Sequence, residues 1–391
     1  IYTRIFLISF GCSMVINTFF RFRYHAGLVC CGINVRKKDN TTIMNLCAYH
    51  CLAESDTIHA ALIKIDKLDG ELQVLFVLNK SKQVVGTLTD GDIRRALIKG
   101  YTLSEPVDSI MNQNFKYLTR TEKDYTSSIK SYRADGITIL PLLDSNNKLV
   151  KVYNLNDLKS ILPIDAVLMA GGKGERLRPF TEKTPKPLLL VGGKCIIDHN
   201  IDRLISFGVE HISVTCNYLK EQFYEHFESP RNEVKVNCVT EPKFLGTIGS
   251  IKLVESFHND TILVMNSDLF TDINYEDFYL HFKEHNAEMS VAAVPYTVSV
   301  PYGIMDLEGR NLKGMIEKPT YNYYANAGIY LIKKSMLDLI PNGEFFHATH
   351  LMDAIIKQGG KIIRFPINGT WIDIGNPQEY QKAKELVKHL R

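Results

Sequence analysis

An α/β fold is predicted for the larger part of this 391-residue chain: a mostly parallel sheet covered on both faces by helices, with a smaller module of two similar units in front of it. Three observations predict it. From Ile164 onward, short β-like runs alternate with amphipathic helical patterns. Between Met44 and about Pro163, the order helix, strand, polar turn, strand and helix occurs twice, at a spacing of about 65 residues. A glycine-rich stretch, LMAGGKGERLRPFTEKTPKPL (168–188), directly follows the first apolar run of the larger part.

Composition sets the limits. The chain is 45% hydrophobic and 23% charged, as ordinary soluble globular proteins are, and it is long enough for two or three domains. A formal net charge of +3 gives no electrostatic reason for a nucleic-acid partner, so any phosphate site must be local. Five of the eight cysteines (Cys12, Cys30, Cys31, Cys47, Cys51) precede residue 52, and Cys195, Cys216 and Cys238 are scattered. With no CxxC, that distribution reads as free structural thiols in a reducing cytoplasm.

Residues 1–43 are expected to be an extension, with Met44 beginning the functional protein. The apolar run IFLISFGCSMVINTFF (5–20) falls short of the roughly 20 residues a spanning helix needs, and its basic residues follow rather than precede it, so no membrane association is expected. The charges from Arg21 to Lys38 read as solvated.

Residues 44–163 form the front module. Its first unit runs TIHAALIKIDK (57–67), LQVLFVLN (72–79) and VVGTLTDGDIRRALIKG (84–100); its second runs DYTSSIKSYRADG (124–136), ITILPLLD (137–144) and LVKVYNLNDLKSIL (149–162). Each half leaves an apolar face for the other. GTLTDGDIRRAL resembles the hallmark of CBS domains, which implies that Thr89 and Asp92 hold the phosphate and ribose of an adenine nucleotide. The second copy departs from it, with Lys151 for Gly and Asn154 for Thr, although Asp157 is kept. Two other readings stand beside nucleotide sensing: the pair only dimerises or packs, and Asp92 is the N-cap of the helix that follows.

In residues 164–391 the strands read are 165–170, 211–215, 234–239, 261–266 and 288–294, with helical patterns at 201–208, 218–227 and 275–285. Ligands of such sheets lie beyond the C-terminal ends of the strands, which is where the glycines fall. Glycines let backbone N–H groups approach an oxyanion, and Arg and Lys neutralise it. A Walker A loop is excluded because Gly174 follows Lys173, and a dinucleotide fingerprint because Leu177 stands where its third glycine belongs. Pro179, Pro185 and Pro187 forbid a long helix there, so the segment is expected to wrap as a loop.

GGKGERLRPFTEKTPKPLL is similar to the signature of the sugar-1-phosphate nucleotidyltransferases, and LGTIGS (245–250), MNSDLF (265–270), YGIM (302–305), IEKP (316–319), NAGIY (326–330) and WIDIGNPQEY (371–380) follow in the family's order. The resemblance implies a Rossmann-like catalytic domain that transfers a nucleotidyl group from a nucleoside triphosphate to a sugar-1-phosphate with Mg²⁺. It implies Gly171, Gly172 and Gly174 on the triphosphate, Arg176 on the departing phosphates, Lys186 between the two substrates, and Asp268 and Asp373 on Mg²⁺, a hard ion that prefers carboxylates. For the sugar it points to Gly303, Glu317, Lys318 and Asn326; for the base, to Glu241 and Gly246. A Glu acceptor suits the N1–H and amino edge of guanine, although the same Glu is placed to cap a helix beginning near Gly246.

The fused CBS pair resembles the bacterial enzymes that activate amino sugars for legionaminic acid and related surface glycans, so GTP and an amino sugar such as glucosamine-1-phosphate are the expected substrates, and a homo-oligomer the expected assembly. Thymidylyl, uridylyl or cytidylyl transfer, or a silent sensing or assembly module of the same fold, are the alternatives. His347 and His350 in HATH lack a third metal ligand, Trp371 reads as core packing, and Asn376 and Pro377 read as the N-cap and first position of the closing helix.

Overall fold

The computed structural model describes residues 50–68, 73–122 and 124–389. The expected extension 1–43, Met44, and Cys12, Cys30, Cys31 and Cys47 lie outside the described residues.

The front module holds two three-stranded sheets of the same topology. In the first, β1 (Cys51–Ala53) runs parallel to β2 (Val74–Leu78), which pairs antiparallel with β3 (Val84–Thr89); α1 (Ile58–Asp66) and α2 (Asp90–Ile98) accompany them. In the second, β4 (Leu118–Thr119) runs parallel to β5 (Ile139–Leu143), which pairs antiparallel with β6 (Leu149–Asn154), and α3 (Thr126–Ala134) packs alongside. The alternation of β2 explains the pairing of the units: Leu75 and Val77 pack against Ile58 and Ala61 of their own unit, while Phe76 points the other way and meets Val84 and Leu143.

Two details differ from expectation. Thr89, not Asp92, is the N-cap of α2, and the two form a capping box: the Asp92 N–H donates to Thr89 Oγ1 at 3.3 Å, and the Thr89 N–H and hydroxyl donate to Asp92 Oδ2 at 2.9 and 2.7 Å. No helix closes the second unit, because the backbone after β6 is spent on outside partners. The Lys159 N–H donates to Ser206 O at 2.5 Å and the Leu162 N–H to Phe207 O at 3.0 Å, while the Arg133 guanidinium takes the Leu158 and Lys159 carbonyls.

The larger part begins with β7 (Ile164–Ala170), followed by the short hairpin β8 (Leu190–Val191) and β9 (Lys194–Cys195), then α4 (Ile196–Ser206), β10 (His211–Cys216), α5 (Lys220–His226) and β11 (Val236–Thr240). Next come β12 (Thr261–Asn266), β13 (Leu269–Thr271), α6 (Tyr275–Glu284), β14 (Met289–Ser299), β15 (Ile304–Glu308), β16 (Asn311–Ile316) and β17 (Thr320–Lys333). The chain ends with α7 (Ala348–Lys357), β18 (Ile362–Pro366), β19 (Trp371–Asp373) and α8 (Pro377–His389). Seven strands form one sheet in the order β11-β10-β7-β12-β17-β14-β18, in which only β17 runs against its neighbours. The expected mostly parallel sheet is thus present, and β17, not foreseen as a strand, is its reversed member.

Both faces of the sheet are covered. Ala166, Leu168 and Ala170 of β7 pack into one core with Ile201, Phe223 and Phe278 from α4, α5 and α6, while Val167 packs on the other side with Leu351 and Ile355 of α7. Asp165 serves a different purpose. Buried at the start of β7, its Oδ2 accepts the His258 and Asn259 N–H groups at 2.6 and 3.2 Å and its Oδ1 the Asn259 side-chain amide at 2.8 Å, fixing the entry to β12. Asp165→Ala is expected to cost about 3 kcal/mol of stability, measurable by urea unfolding, because it strands buried donors.

Candidate active site

The C-terminal ends of β7, β11 and β12 open into a cavity of about 490 Å³. Gly171, Gly172, Gly174, Arg176, Lys186, Glu241, Gly246 and Asp268 all line it, as do Lys173, Thr247, Asn266 and Gly375. Residues from four separate stretches of sequence therefore meet where a parallel sheet places its ligands.

The glycine loop leaves β7 extended, and Gly174 turns it in the left-handed region (φ 64°) into a 3-10 turn, Glu175–Leu177. The remainder wraps as a loop, as the prolines require. Thr181 Oγ1 donates to Gly174 O at 2.8 Å, Tyr218 Oη donates to the Thr181 and Glu182 carbonyls at 3.1 Å each, and the Gln222 amide reaches Lys183 O at 2.9 Å. Gly171 is required by contact: a Cβ there would sit 2.5 Å from Glu241 Oε1.

Lys186 is the centre of charge. Its side chain is 10% exposed, and its ammonium lies 2.5 Å from Asp268 Oδ2 and 3.9 Å from Asp373 Oδ1. The two carboxylates meet because β13 and β19 pair antiparallel with Leu269 opposite Asp373. Burial, and next the charge of Asp268, raise the Asp373 pKa above the ordinary carboxylate value, against the lowering influence of Lys186 and Arg176. Asp268 Oδ1 is buried and has no hydrogen-bond partner among the described residues.

Glu241, 3% exposed, accepts the Leu245 N–H at 3.3 Å and lies within reach of the Ser250 and Thr215 hydroxyls. It caps no helix: the 3-10 helix that follows, Gly249–Leu253, has Ile248 at its N-cap. Gly246 (φ 85°) packs so close to Phe346 O that a Cβ would stand at 2.5 Å.

The four residues assigned to the sugar lie elsewhere. Gly303 and Glu317 face each other at the base of the β15–β16 hairpin, both exposed, with Lys318 next to them; none lines the cavity. Asn326 is closer, since its side-chain Oδ1 accepts the Gly328 N–H at 2.9 Å and Gly328 packs against Asn266, a lining residue. Thr89 and Asp92, spent on capping each other, are not part of the cavity. His347 and His350 cap α7, the Trp371 indole donates to Ala327 O at 2.9 Å within the core, and Asn376 Oδ1 caps α8 through the Glu379 N–H at 2.9 Å.

Sequence reasoning missed Asn200. Buried in α4, its side-chain amide donates to Leu269 O at 2.8 Å, next to Asp268, and Arg203 one turn on takes the Asp272 and Ile273 carbonyls. A polar residue in an otherwise apolar helical stripe is the signal that could have found it. Cys195, Asp198 and His226 bring ligand atoms within 4.8 Å of one another, but Arg231 already pairs with Asp198 at 3.1 Å and with Asp202, so the charge there is balanced. Burial raises the thiol pKa of Cys195 and Cys238 to about 11 and of Cys216 to about 12, which disfavours the thiolate at all three.

Residues 165–389, more than half of the chain, match the nucleotidyl transferase family model, and the chain belongs to that family. It is 30% identical over 226 residues to the "Probable mannose-1-phosphate guanylyltransferase 1" of Oryza sativa subsp. japonica, a match covering 55% of this chain and 62% of that protein. It is also 30% identical over 234 residues to the bifunctional protein GlmU of Methanococcus maripaludis, covering 56% and 53% respectively. The chain thus spans less than two thirds of the length of these relatives. Among solved structures it is similar to HddC from Yersinia pseudotuberculosis complexed with GMP-PN, at 25% identity and a TM-score of 0.44, covering 57% of this chain and 99% of that one. Among the described residues no helix is long and apolar enough to cross a membrane.

Glu241 yields a pH prediction. Burial, its largest influence, raises its pKa, so the folded state favours the neutral carboxyl and stability falls as pH rises from the unfolded value through the raised one. Glu241→Gln keeps the shape and removes the charge. It is expected to be more stable than the parent at neutral pH, with the gap closing below about pH 4. Urea unfolding of both proteins at the two pH values measures this; a gap independent of pH would contradict it.

Proposed function

We propose that the chain transfers a nucleotidyl group from a nucleoside triphosphate to a sugar-1-phosphate, releasing pyrophosphate. The observation that carries this reading is the cavity itself, where a glycine-rich loop, Arg176, Lys186 and the Asp268 carboxylate face one another at the strand ends. No Ser/His/Asp or Cys/His set lines it, and the reaction needs none. A phosphate monoester has a second pKa of about 6, so the attacking oxygen is already ionised at neutral pH. What the protein must supply is alignment of two anions that repel each other, and neutralisation of the charge that develops on the leaving group.

The residues divide that work. N–H groups of Gly171 to Gly174 approach the triphosphate where side chains would obstruct, and Arg176 neutralises the departing pyrophosphate. Lys186, freed from Asp268 by the incoming anions, draws the sugar phosphate and the α-phosphate together. The buried, unpartnered Oδ1 of Asp268, with Asp373 beside it, fits a Mg²⁺ site, and that ion would supply charge neutralisation to the phosphates. GTP is the favoured donor, because the buried Glu241 accepts hydrogen bonds and guanine presents N1–H and an amino group together. The guanylyltransferase among the relatives supports the same base. An amino sugar such as glucosamine-1-phosphate is the favoured acceptor.

The test is pyrophosphate release from five nucleoside triphosphates against glucosamine-1-phosphate, N-acetylglucosamine-1-phosphate, glucose-1-phosphate and mannose-1-phosphate. One pair is expected to react, with EDTA abolishing release and Lys186→Ala or Asp268→Ala lowering turnover by at least about a hundredfold. Full activity of Asp268→Ala would remove the metal assignment. Nucleotide binding without turnover in every combination would favour a silent binding module.

A further inference from the structure

Two pairs of neighbouring apolar residues meet beside the cavity, Phe244 and Leu245 after β11, and Phe345 and Phe346 before α7. One member of each pair is an anchor. Leu245 is fully buried; its N–H donates to Glu241 Oε2 at 3.3 Å and its carbonyl accepts the Phe346 N–H at 3.0 Å. Phe346 packs against the core on the α7 side of the sheet, and its carbonyl accepts the Ile248 and Gly249 N–H groups at 3.2 Å each. The backbone that carries the other two members is fixed by these bonds. Phe244 and Phe345 stay half exposed, and their rings meet edge to face, 5.9 Å apart at 62°.

A lone exposed aromatic residue needs no explanation. Phe244 is placed differently, because it lines the cavity and is the one aromatic residue among the described residues that do so. The lining divides around it. Arg176 and Lys186 come from the glycine-loop segment, whereas Phe244 comes from the stretch that also supplies Glu241, Gly246 and Thr247. A nucleoside triphosphate divides in the same way, into a chain of anions and a flat, uncharged ring system. With the phosphates on the glycine loop, the base falls to the stretch that holds Phe244. Hydrogen bonds to a carboxyl such as Glu241 read the edge of a base and leave its two faces bare. An aromatic side chain covers a face, and does so for any base, since every base has one.

Resting on the nucleotidyl-transfer reading of the cavity, we propose that Phe244 is the stacking surface for the base of the nucleotide, supplying affinity while the choice of base stays with the hydrogen-bonding groups. Calorimetric titration of the full chain with GTP and with inorganic tripolyphosphate, which carries the charge without the base, separates the two ends of the ligand; no sugar phosphate is added, so nothing turns over. Phe244→Ala is expected to raise the GTP dissociation constant roughly 5- to 150-fold and to leave tripolyphosphate binding unchanged. Phe244→Trp, which keeps a flat ring, is expected to retain the parent's affinity for GTP, and Phe244→Leu, apolar without a flat face, to lose it. If Phe244→Ala binds GTP as the parent does, or loses GTP and tripolyphosphate equally, the stacking assignment is overturned and nucleotidyl transfer stands. A parent chain that binds no nucleoside triphosphate overturns both.

Discussion

A buried ammonium beside two carboxylates is the constraint on which the site depends. Lys186 comes from the loop after β7, Asp268 from the end of β12 and Asp373 from β19. No one of them has a reason to be where it is without the others. A lysine at 10% exposure without a carboxylate loses its hydration for nothing, and two carboxylates side by side without the lysine repel each other. The arrangement offsets those costs mutually and still leaves Asp268 Oδ1 unsatisfied. The raised pKa of Asp373 is a second sign of the same tension.

The scaffold that holds this tension consists of backbone contacts more than of side-chain bulk. β13 and β19 add only three residues each, but their register sets the carboxylates side by side. Behind them α4 supplies Asn200 to Leu269 O and Arg203 to the Asp272 and Ile273 carbonyls, so the strand carrying Asp268 into place is pinned along its length. On the other wall, Gly246 comes so close to Phe346 O that a Cβ is excluded, and Gly171 packs against the Glu241 carboxyl.

The sheet strands and the cavity residues were readable in the sequence because both follow local rules. Continuous apolar runs such as 165–170 and 261–266 have no stable home except a strand covered on both faces, and a loop rich in Gly, Arg and Lys after the first of them has no better use than an anion. What escaped the reading depends on partners far away in the chain. The segment 155–162 has a helical pattern but gives its N–H groups to Ser206 and Phe207. Thr89 and Asp92 matched a ligand hallmark, and the same spacing makes a capping box. Thr320–Asn326 belongs to a strand, but its tyrosines and asparagines carry no core signal of their own, and Tyr321, Tyr323 and Tyr324 stay 39–56% exposed. Gly303, Glu317 and Lys318 came from motif order, and none of the three lines the cavity.

Helix α4 links these observations. Its last turn and the residue after it accept the backbone bonds of Lys159 and Leu162 from the front module, and the Lys159 ammonium lies over the Phe207 ring at 5.5 Å. At Glu210 the following loop takes Lys151 at 2.6 Å and the Tyr153 hydroxyl at 3.3 Å, while Asp124 accepts the Tyr279 hydroxyl of α6 at 3.0 Å. A peripheral module that touched only surface loops would be free to shift without consequence. Here its contacts fall on the helix whose middle holds Leu269, one residue from Asp268. The front module is thereby tied through Ser206 and Phe207 to the same helix whose Asn200 holds the strand that carries Asp268.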